Sequence, residues 1–169
     1  MAFSVYEPSP RFNHSSIQVE DNAYLWGGFT QDSNRSEIIS IFDSYAEMWK
    51  EQSTTGVPPP GQYAGCFTVV GSNLYYFGGD DGRKYFSSVH ELQLSNLEWK
   101  EIVQSNTAEG PLPKRGCGMV AYQQQLALIG GFCGAPTGPL QAGAEFIKNI
   151  KYPDYGWNNQ FHLFSIKGV

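Results

Sequence analysis

The sequence repeats a glycine pair at a nearly constant interval. The pairs begin at Gly27, Gly78 and Gly130, so they lie 51 and 52 residues apart. Each pair directly follows a short apolar run that ends in Trp26, Phe77 or Ile129. An internal period of roughly 20 to 50 residues indicates a repeat architecture, such as a solenoid or a propeller. The repeat therefore limits the possible folds more than any single residue does.

The segments around each glycine pair repeat as well. Residues 10–15, 62–66 and 114–118 align before the pairs, and 38–43 and 89–94 align after the first two. Each period contains apolar or alternating runs bounded by Gly, Pro, Asn or Ser, which predicts four short strands and hence one propeller blade. The predicted strands lie near 13–20, 23–27, 37–43, 47–52, 64–70, 73–78, 87–94, 97–103, 116–122, 125–130 and 160–166.

These motifs resemble the kelch repeat. The resemblance rests on the glycine pairs, on the opening Arg-Phe-Asn-His-Ser at 11–15, and on a Trp-Lys-Glu ending at Trp49 and Trp99. It covers residues 10–166 in three copies. It implies an all-β, kelch-type β-propeller with about three four-stranded blades, as part of a six-bladed ring. Residues 156–164 are also similar to the kelch domain-containing substrate receptors of cullin ubiquitin ligases.

The repeat divides the chain into a leader at 1–9 and blades at 10–55, 56–108 and 109–169. The third blade carries a long insertion at 132–158, within which Ala142–Ile150 is expected to form either a helical turn or a hairpin arm. It also lacks a counterpart of the outer strand. Propellers typically use about 4 to 8 blades, so we expect either a fragment of a longer gene product, which we favour, or a half-ring that pairs with another.

Composition excludes several classes of partner. The net charge is −5 and no basic stripe is present, so neither nucleic acid nor an anionic membrane is an expected partner. No signal sequence and no membrane-spanning run is recognisable. The three cysteines, Cys66, Cys117 and Cys133, have no metal-ligand spacing. Cys66 and Cys117 are interpreted as inert, buried thiols in aligned strand positions, which suits a reducing compartment, the cytoplasm or nucleus.

The conspicuous repeated residues are interpreted as structural. The glycine pairs open no helix and lack the Lys-Ser/Thr of a phosphate-binding loop, so they are expected to let the backbone turn. Trp49 and Trp99 are expected to pack between blades. His14, His90 and His162 form no metal-binding pattern, and no nucleophile motif is visible. We therefore predict no enzyme activity, no metal and no cofactor. The structural residues are Gly27, Gly28, Gly78, Gly79, Gly130, Gly131, Trp49 and Trp99.

Candidate partner-binding residues come from positions at the ends of the blades. Loops on a rigid scaffold often carry recognition, and the arginine fork matches a carboxylate. In kelch proteins resembling this chain, the position occupied by Arg11 often presents an arginine to an acidic peptide group. Tyr155 and Trp157 are interpreted either as aromatic interface anchors or as residues folded back onto the blade. The candidates are Arg11, Gln62, Lys114, Arg35, Arg83, Lys84, Tyr155 and Trp157.

Two functions remain open at this stage. The favoured one is a non-catalytic scaffold that binds a protein or peptide partner. The finer resemblance implies a ubiquitin-ligase adaptor, with cullin binding through parts of the protein outside this chain. The alternative is a fragment of a propeller enzyme whose metal or catalytic residues lie in other blades. Fold alone does not decide between them.

Overall fold

The computed structural model describes residues 6–31, 38–60, 63–103 and 110–166. These residues form 18 β-strands and no helix, so the predicted all-β class is confirmed. A helix long and apolar enough to cross a membrane does not occur in these ranges.

The first blade is a four-stranded antiparallel sheet. A two-stranded ladder of β1 (Arg11–Phe12) and β4 (Phe29–Thr30) lies at one end of it. Its four strands, in sheet order, are β2 (Ser15–Val19), β3 (Asn22–Trp26), β5 (Ile38–Asp43) and β6 (Met48–Ser53). The leader reaches this sheet, because the Tyr6 hydroxyl donates to the Glu51 carboxylate and lies 3.3 Å from the Ser40 hydroxyl.

The second blade repeats this sheet and gains a fifth, short strand. The added strand is β7 (Thr55–Gly56), which pairs in parallel with the outer strand. A Cβ on Gly56 would lie 2.1 Å from the Trp99 carbonyl oxygen, so only glycine allows this approach. The four repeated strands are β8 (Cys66–Val70), β9 (Asn73–Phe77), β10 (Val89–Gln93) and β11 (Glu98–Val103).

The third blade has three strands in the part of the chain that the structure describes. They are β13 (Gly118–Tyr122), β14 (Gln125–Ile129) and β18 (Phe161–Ser165), in that sheet order. All eleven strands predicted from the repeat are present, and each observed end lies within two residues of the predicted one.

The insertion forms a separate small sheet, which we call the arm sheet. Its strands are β12 (Lys114–Arg115), β15 (Phe132–Gly134), β16 (Phe146–Lys148) and β17 (Tyr155–Asn158). Their order in the sheet is β12-β15-β17-β16, and the antiparallel hairpin β16–β17 settles the open alternative in favour of a hairpin arm. β12 comes from the segment just before the strands of the third blade, so the arm is joined to the propeller by a ladder.

The core consists of two apolar layers, one on each side of the second blade. Every residue of β9 is buried, and its side chains alternate between the two layers. Leu74 and Tyr76 join the first blade's Trp26 in one layer. Tyr75 and Phe77 join the third blade in the other. The second blade is therefore a sheet covered on both faces, which explains its continuous apolar run.

The two repeat tryptophans differ in their surroundings. Trp99 is fully buried between the first two blades, with its ring centroid 5.0 Å from that of Trp26. Trp49 occupies the matching position of the first blade but packs on its cross-strand neighbour Phe42 and is only half-buried. Packing between blades is thus observed for Trp99. For Trp49 the expectation stays a prediction, because no described blade lies against that face.

Each glycine pair lies directly after the second strand of its blade, that is after β3, β9 or β14. All six glycines have φ between 66° and 109°, a region that L side chains rarely adopt. A Cβ on Gly78 would also lie 2.6 Å from the Lys114 carbonyl oxygen. The neighbouring Gly79 amide donates to that same oxygen at 2.9 Å. The second pair therefore turns the chain and also binds it to Lys114, at the start of the third blade.

One face of the third blade is apolar, and none of the described blades covers it. Ile129 and Phe161 are 49% and 50% exposed. Their repeat equivalents in the second blade, Phe77 and Val89, are 0% exposed because the third blade covers them. An exposed apolar face of this kind favours association.

The contrast between the tryptophans can be tested by mutation. Trp99→Ala is expected to reduce the free energy of unfolding by about 3–5 kcal/mol, because it empties a filled aromatic site. Trp49→Ala is expected to cost about 1 kcal/mol. Urea denaturation measures both values, with Trp99→Phe as the milder variant if Trp99→Ala does not fold. Equal costs at the two positions would contradict the assignment of the interblade layer.

The uncovered face predicts self-association of the 169-residue chain. Light scattering after gel filtration should show a mass that rises with protein concentration. Replacing Phe161 and Leu163 by Glu should keep the chain monomeric, because charges then occupy the apolar face. Ile150→Glu, on the fully exposed tip of the arm, is the matched control and should behave as wild type. Identical mass curves for all three proteins would refute this role of the face.

Candidate functional site

Two adjoining cavities lie between the second blade and the arm sheet. Their volumes are about 570 and 750 Å³, and Tyr85, Arg115 and Tyr155 line both. We call the combined depression the arm groove. One wall is the loop 80–85 between β9 and β10, and the opposite wall is the arm sheet.

The loop wall is held by two aspartates. The Asp80 carboxylate accepts from the Gly82 amide at 2.7 Å, and the Asp81 carboxylate accepts from the Arg83 and Lys84 amides at 2.9 Å. Such Asx contacts fix a turn without regular strand pairing. The Arg83 and Lys84 side chains are exposed, and both line the groove. Two of the predicted binding residues therefore lie together on this wall.

Arg115 forms the floor shared by the two cavities. Its Nη1 lies 2.6 Å from the Asp80 carboxylate, in an ion pair whose acidic partner is buried. The guanidinium also packs over the rings of Tyr85 and Phe132, at 5.4 and 5.5 Å from the centroids. These contacts fix the planar group while leaving its side chain 40% exposed. A guanidinium has five N–H donors, so it can bind a ligand carboxylate beside Asp80.

The arm wall is aromatic. The Tyr155 ring stacks on Phe132 with an interplanar angle of 9°, and Trp157 meets Phe132 edge-on at 5.3 Å. Tyr155 and Trp157 are nevertheless 41% and 50% exposed. The rings therefore pack on their neighbour and still present a face to the groove, and their role as interface anchors stays a prediction. Burial raises the pKa of the Tyr85 hydroxyl, so it stays a neutral donor near neutral pH.

Lys114 does not lie on an exposed rim, contrary to the expectation from the repeat. Its side chain is 0% exposed, and its Nζ donates to the Asn158 side-chain oxygen at 3.1 Å. Burial lowers the pKa of this amine. The physical reason is strand alternation, since β12 turns Lys114 inward and the next residue, Arg115, outward into the groove.

Arg11, the first-blade residue at the repeat position of Lys114, lies apart from the arm groove. Arg11 donates to the backbone carbonyls of Ser9 and Gly27 at 3.1 and 3.0 Å and does not line the arm groove. Gln62 and Arg35 lie outside the described residues. The structure thus brings Arg83, Lys84, Tyr155 and Trp157 together, and it leaves Arg11 apart.

Sequence reasoning missed Arg115, Asp80, Tyr85 and Phe132. A usable signal was present, because Arg115 follows Lys114 directly and a two-residue strand must place the two side chains on opposite sides. Asp80 and Tyr85 are the ends of a loop already selected for its charges.

The described residues contain no group of three or more His, Cys, Asp and Glu side chains that could hold a metal ion. His90 is buried, with Nδ1 3.0 Å from the Val57 carbonyl oxygen and Nε2 3.1 Å from the Ser88 hydroxyl. Its interior hydrogen bonds give this histidine a structural role.

The stacked blades, each with a positive-φ glycine pair after its second strand, define kelch-type β-propeller blades. The family model described as the KLHDC2/KLHL20/DRC7 Kelch-repeats domain matches residues 2–142, and the chain belongs to this kelch-repeat family.

Known relatives share this repeat at modest identity. Kelch domain-containing protein 1 of Mus musculus is 23% identical over 98% of this chain, and Acyl-CoA-binding domain-containing protein 4 of Arabidopsis thaliana is 29% identical over 73%. Host cell factor of Drosophila melanogaster is 24% identical over 85%. The chain spans only 43%, 18% and 10% of these proteins, respectively. Kelch domains generally mediate protein–protein interactions.

A solved structure supports the fold. The structure of YjhT superposes with a TM-score of 0.59 at 18% identity, covering 75% of this chain and 36% of that one. At this identity the likeness concerns the fold alone.

The Arg115–Asp80 pair can be tested by stability measurements. Arg115→Met is expected to cost about 1–3 kcal/mol, because it leaves the buried Asp80 carboxylate without its cation. Arg83→Met, which removes a neighbouring exposed charge, should change stability by less than about 0.5 kcal/mol. The double variant Arg115→Met with Asp80→Asn should lose less in urea denaturation than the sum of the single changes. Strict additivity would show that the two side chains do not interact.

Proposed function

We propose that this chain is a non-catalytic interaction module whose arm groove binds an extended, acidic peptide segment of a partner protein. The observation that carries the proposal is the convergence of Arg83, Lys84 and Arg115 with the exposed rings of Tyr155 and Trp157 around one depression.

The charge of the groove supports an acidic ligand. The chain as a whole carries −5. The charged residues that line the groove are Arg83, Lys84 and Arg115 against the single carboxylate of Asp80. Asp80 is already neutralised by Arg115 at 2.6 Å. Asp81 of the same loop offsets one of the two loop cations, so the groove and its loop wall keep one excess positive charge. This charge attracts acidic segments and repels basic ones.

The aromatic wall supports a peptide rather than a small anion. Exposed tyrosine and tryptophan rings supply rigid contact area, and such side chains dominate the energy of protein interfaces. The stacking on Phe132 fixes Tyr155 before any ligand arrives, so little conformational entropy is lost on binding. The groove thus combines apolar anchors with a cationic wall on a rigid base.

We propose further that the chain is part of a longer gene product, which acts as a ubiquitin-ligase substrate adaptor in the cytoplasm or nucleus. The proposal rests on the resemblance of residues 156–164 to such receptors. The adaptor role predicts that the full-length gene product co-purifies with a cullin through segments outside these 169 residues. Co-precipitation from cells, with this chain alone as the negative control, tests it. Fluorescence imaging of the tagged full-length protein tests the location.

Peptide binding can be measured by fluorescence anisotropy. The probe is a fluorescein-labelled decapeptide that alternates Glu with Leu and Tyr, and the comparison peptide carries Gln in place of every Glu. The Glu peptide should bind at least about tenfold more tightly, and raising the salt should weaken it, because the attraction between exposed charges is screened. Changing both Arg83 and Lys84 to Met should reduce the affinity about tenfold.

Two controls separate the groove from general electrostatics. Changing Lys100 and Lys148 to Met also removes two positive charges, but from exposed positions that do not line the groove. This variant should leave the affinity nearly unchanged. Tyr155→Ala should weaken both peptides, because it removes an anchor rather than a charge. Equal binding of the two peptides, or equal loss in the control variant, would show that the groove is not the acidic-peptide site.

A further inference from the structure

We propose that Cys66 and Cys117 form an oxidation site, at which hydrogen peroxide converts two neighbouring thiols into a disulfide that joins the second and third blades. The proposal replaces the expectation that these cysteines are inert, and it does not depend on the proposed peptide binding.

The two sulfur atoms face each other across the interface between blades. Their separation is 3.0 Å, whereas a disulfide has S–S of about 2.05 Å. Closing the bond thus needs a movement of about 1 Å. Cys66 is the first residue of β8, and Cys117 directly precedes β13. Counted from the glycine pairs, the two positions are offset by one residue and not aligned, and this offset brings the side chains together.

The same offset contact occurs between the first two blades, with other residues. There the Ser15 hydroxyl, at the position equivalent to Cys66, donates to the carbonyl of Gly65, at the position equivalent to Cys117. The distance is 2.8 Å. These two positions are thus in contact at both described interfaces, and the second of them has a thiol at each position.

Backbone hydrogen bonds hold the thiols in place. The Gly116 amide donates to the Ala64 carbonyl at 2.7 Å, and the Ala64 amide donates to the Asn13 carbonyl at 2.8 Å. A backbone hydrogen bond thus joins the two segments at Ala64, two residues before Cys66, and at Gly116, one residue before Cys117. Ala64 and Gly116 also line the arm groove, which is open to solvent. A molecule as small as peroxide can approach from that side.

The local charges assign different roles to the two thiols. The Cys66 sulfur also lies 3.9 Å from the Phe77 carbonyl oxygen, a group that only accepts hydrogen bonds, so Cys66 keeps its proton as a donor. With Cys66 as the donor, the contact between the two sulfurs lowers the pKa of Cys117, and the nearby Lys114 amine adds to this effect. The same contact, together with burial, raises the pKa of Cys66. We therefore assign Cys117 as the thiolate that reacts with peroxide and Cys66 as the resolving thiol.

The chemistry balances in two steps. The Cys117 thiolate attacks one peroxide oxygen, the O–O bond breaks, and the departing hydroxide takes a proton to leave as water. This oxidises the sulfur to a sulfenic acid. Cys66 then attacks that sulfur, the S–S bond forms, and the sulfenic hydroxide leaves as water with the Cys66 proton. Two thiols are oxidised and one peroxide is reduced to two waters.

Cys133 is the internal comparison. It is 0% exposed, and its sulfur accepts from the Asn158 side-chain amide at 3.1 Å. Burial raises the pKa of this thiol. It is expected to react slowly and to remain reduced.

The test treats the reduced 169-residue chain with a few equivalents of hydrogen peroxide, traps free thiols under denaturing conditions and maps the non-reduced peptides by mass spectrometry. A linked peptide pair containing Cys66 and Cys117, lighter by two hydrogens, is expected, with Cys133 alkylated. The thermal midpoint should rise by about 10 °C, because the crosslink closes a long loop. Dithiothreitol should reverse this shift.

Two variants keep the result falsifiable. Cys66→Ser introduces the residue that the first blade has at the equivalent position, Ser15. In this variant the oxidation should stop at a dimedone-reactive sulfenic acid on Cys117. Cys133→Ser should still form the disulfide. The proposal fails if both thiols remain alkylatable after peroxide, if Cys133 is the thiol that oxidises first, or if Cys66→Ser leaves no trapped sulfenic acid.

Discussion

Each blade sheet has an apolar side chain on both of its faces, and the structure depends on covering them. A β-strand alternates its side chains, so a continuous apolar run such as β9 requires a neighbour on each side. Trp26 and Trp99 fill the first interface, and Phe77 and Met119 contribute to the second. The blades are thus not independent units, because each blade covers an apolar face of the blade before it.

The backbone geometry is the same at both blade interfaces, whereas the side chains at equivalent positions differ. Glycine pairs and interblade hydrogen bonds fix the backbone at matching positions, so the side chains there can vary at little structural cost. The offset contact between blades uses Ser15 and Gly65 once and two cysteines the next time. The same scaffold therefore supplies a plain hydrogen bond at one interface and a reactive thiol pair at the other.

The repeat allowed the strands to be predicted within two residues, because period, turns and alternation all act locally. It did not allow the arm sheet or the orientation of β12 to be predicted. Lys114 matches Arg11 in sequence and in register, because the β12–β15 ladder repeats the β1–β4 ladder of the first blade. The difference comes from β17, which pairs with β15 and brings Asn158 against the Lys114 amine. This further strand belongs to the insertion and has no counterpart among the described residues of the first two blades. Sequence comparison between repeats cannot detect such a contact, whereas alternation along β12 would have pointed to Arg115.

The arm groove exists because the third copy departs from the repeat. A four-stranded blade alone would leave the loop 80–85 as an ordinary solvated turn. The arm sheet places Phe132 and Tyr155 opposite that turn, and their rings together with Tyr85 confine the Arg115 guanidinium. Confinement between rings lowers the local dielectric constant, which strengthens the ion pair with Asp80 and any further contact that the guanidinium makes. The proposed recognition surface thus arises where an insertion converts one edge of a repeated scaffold into a charged and aromatic groove.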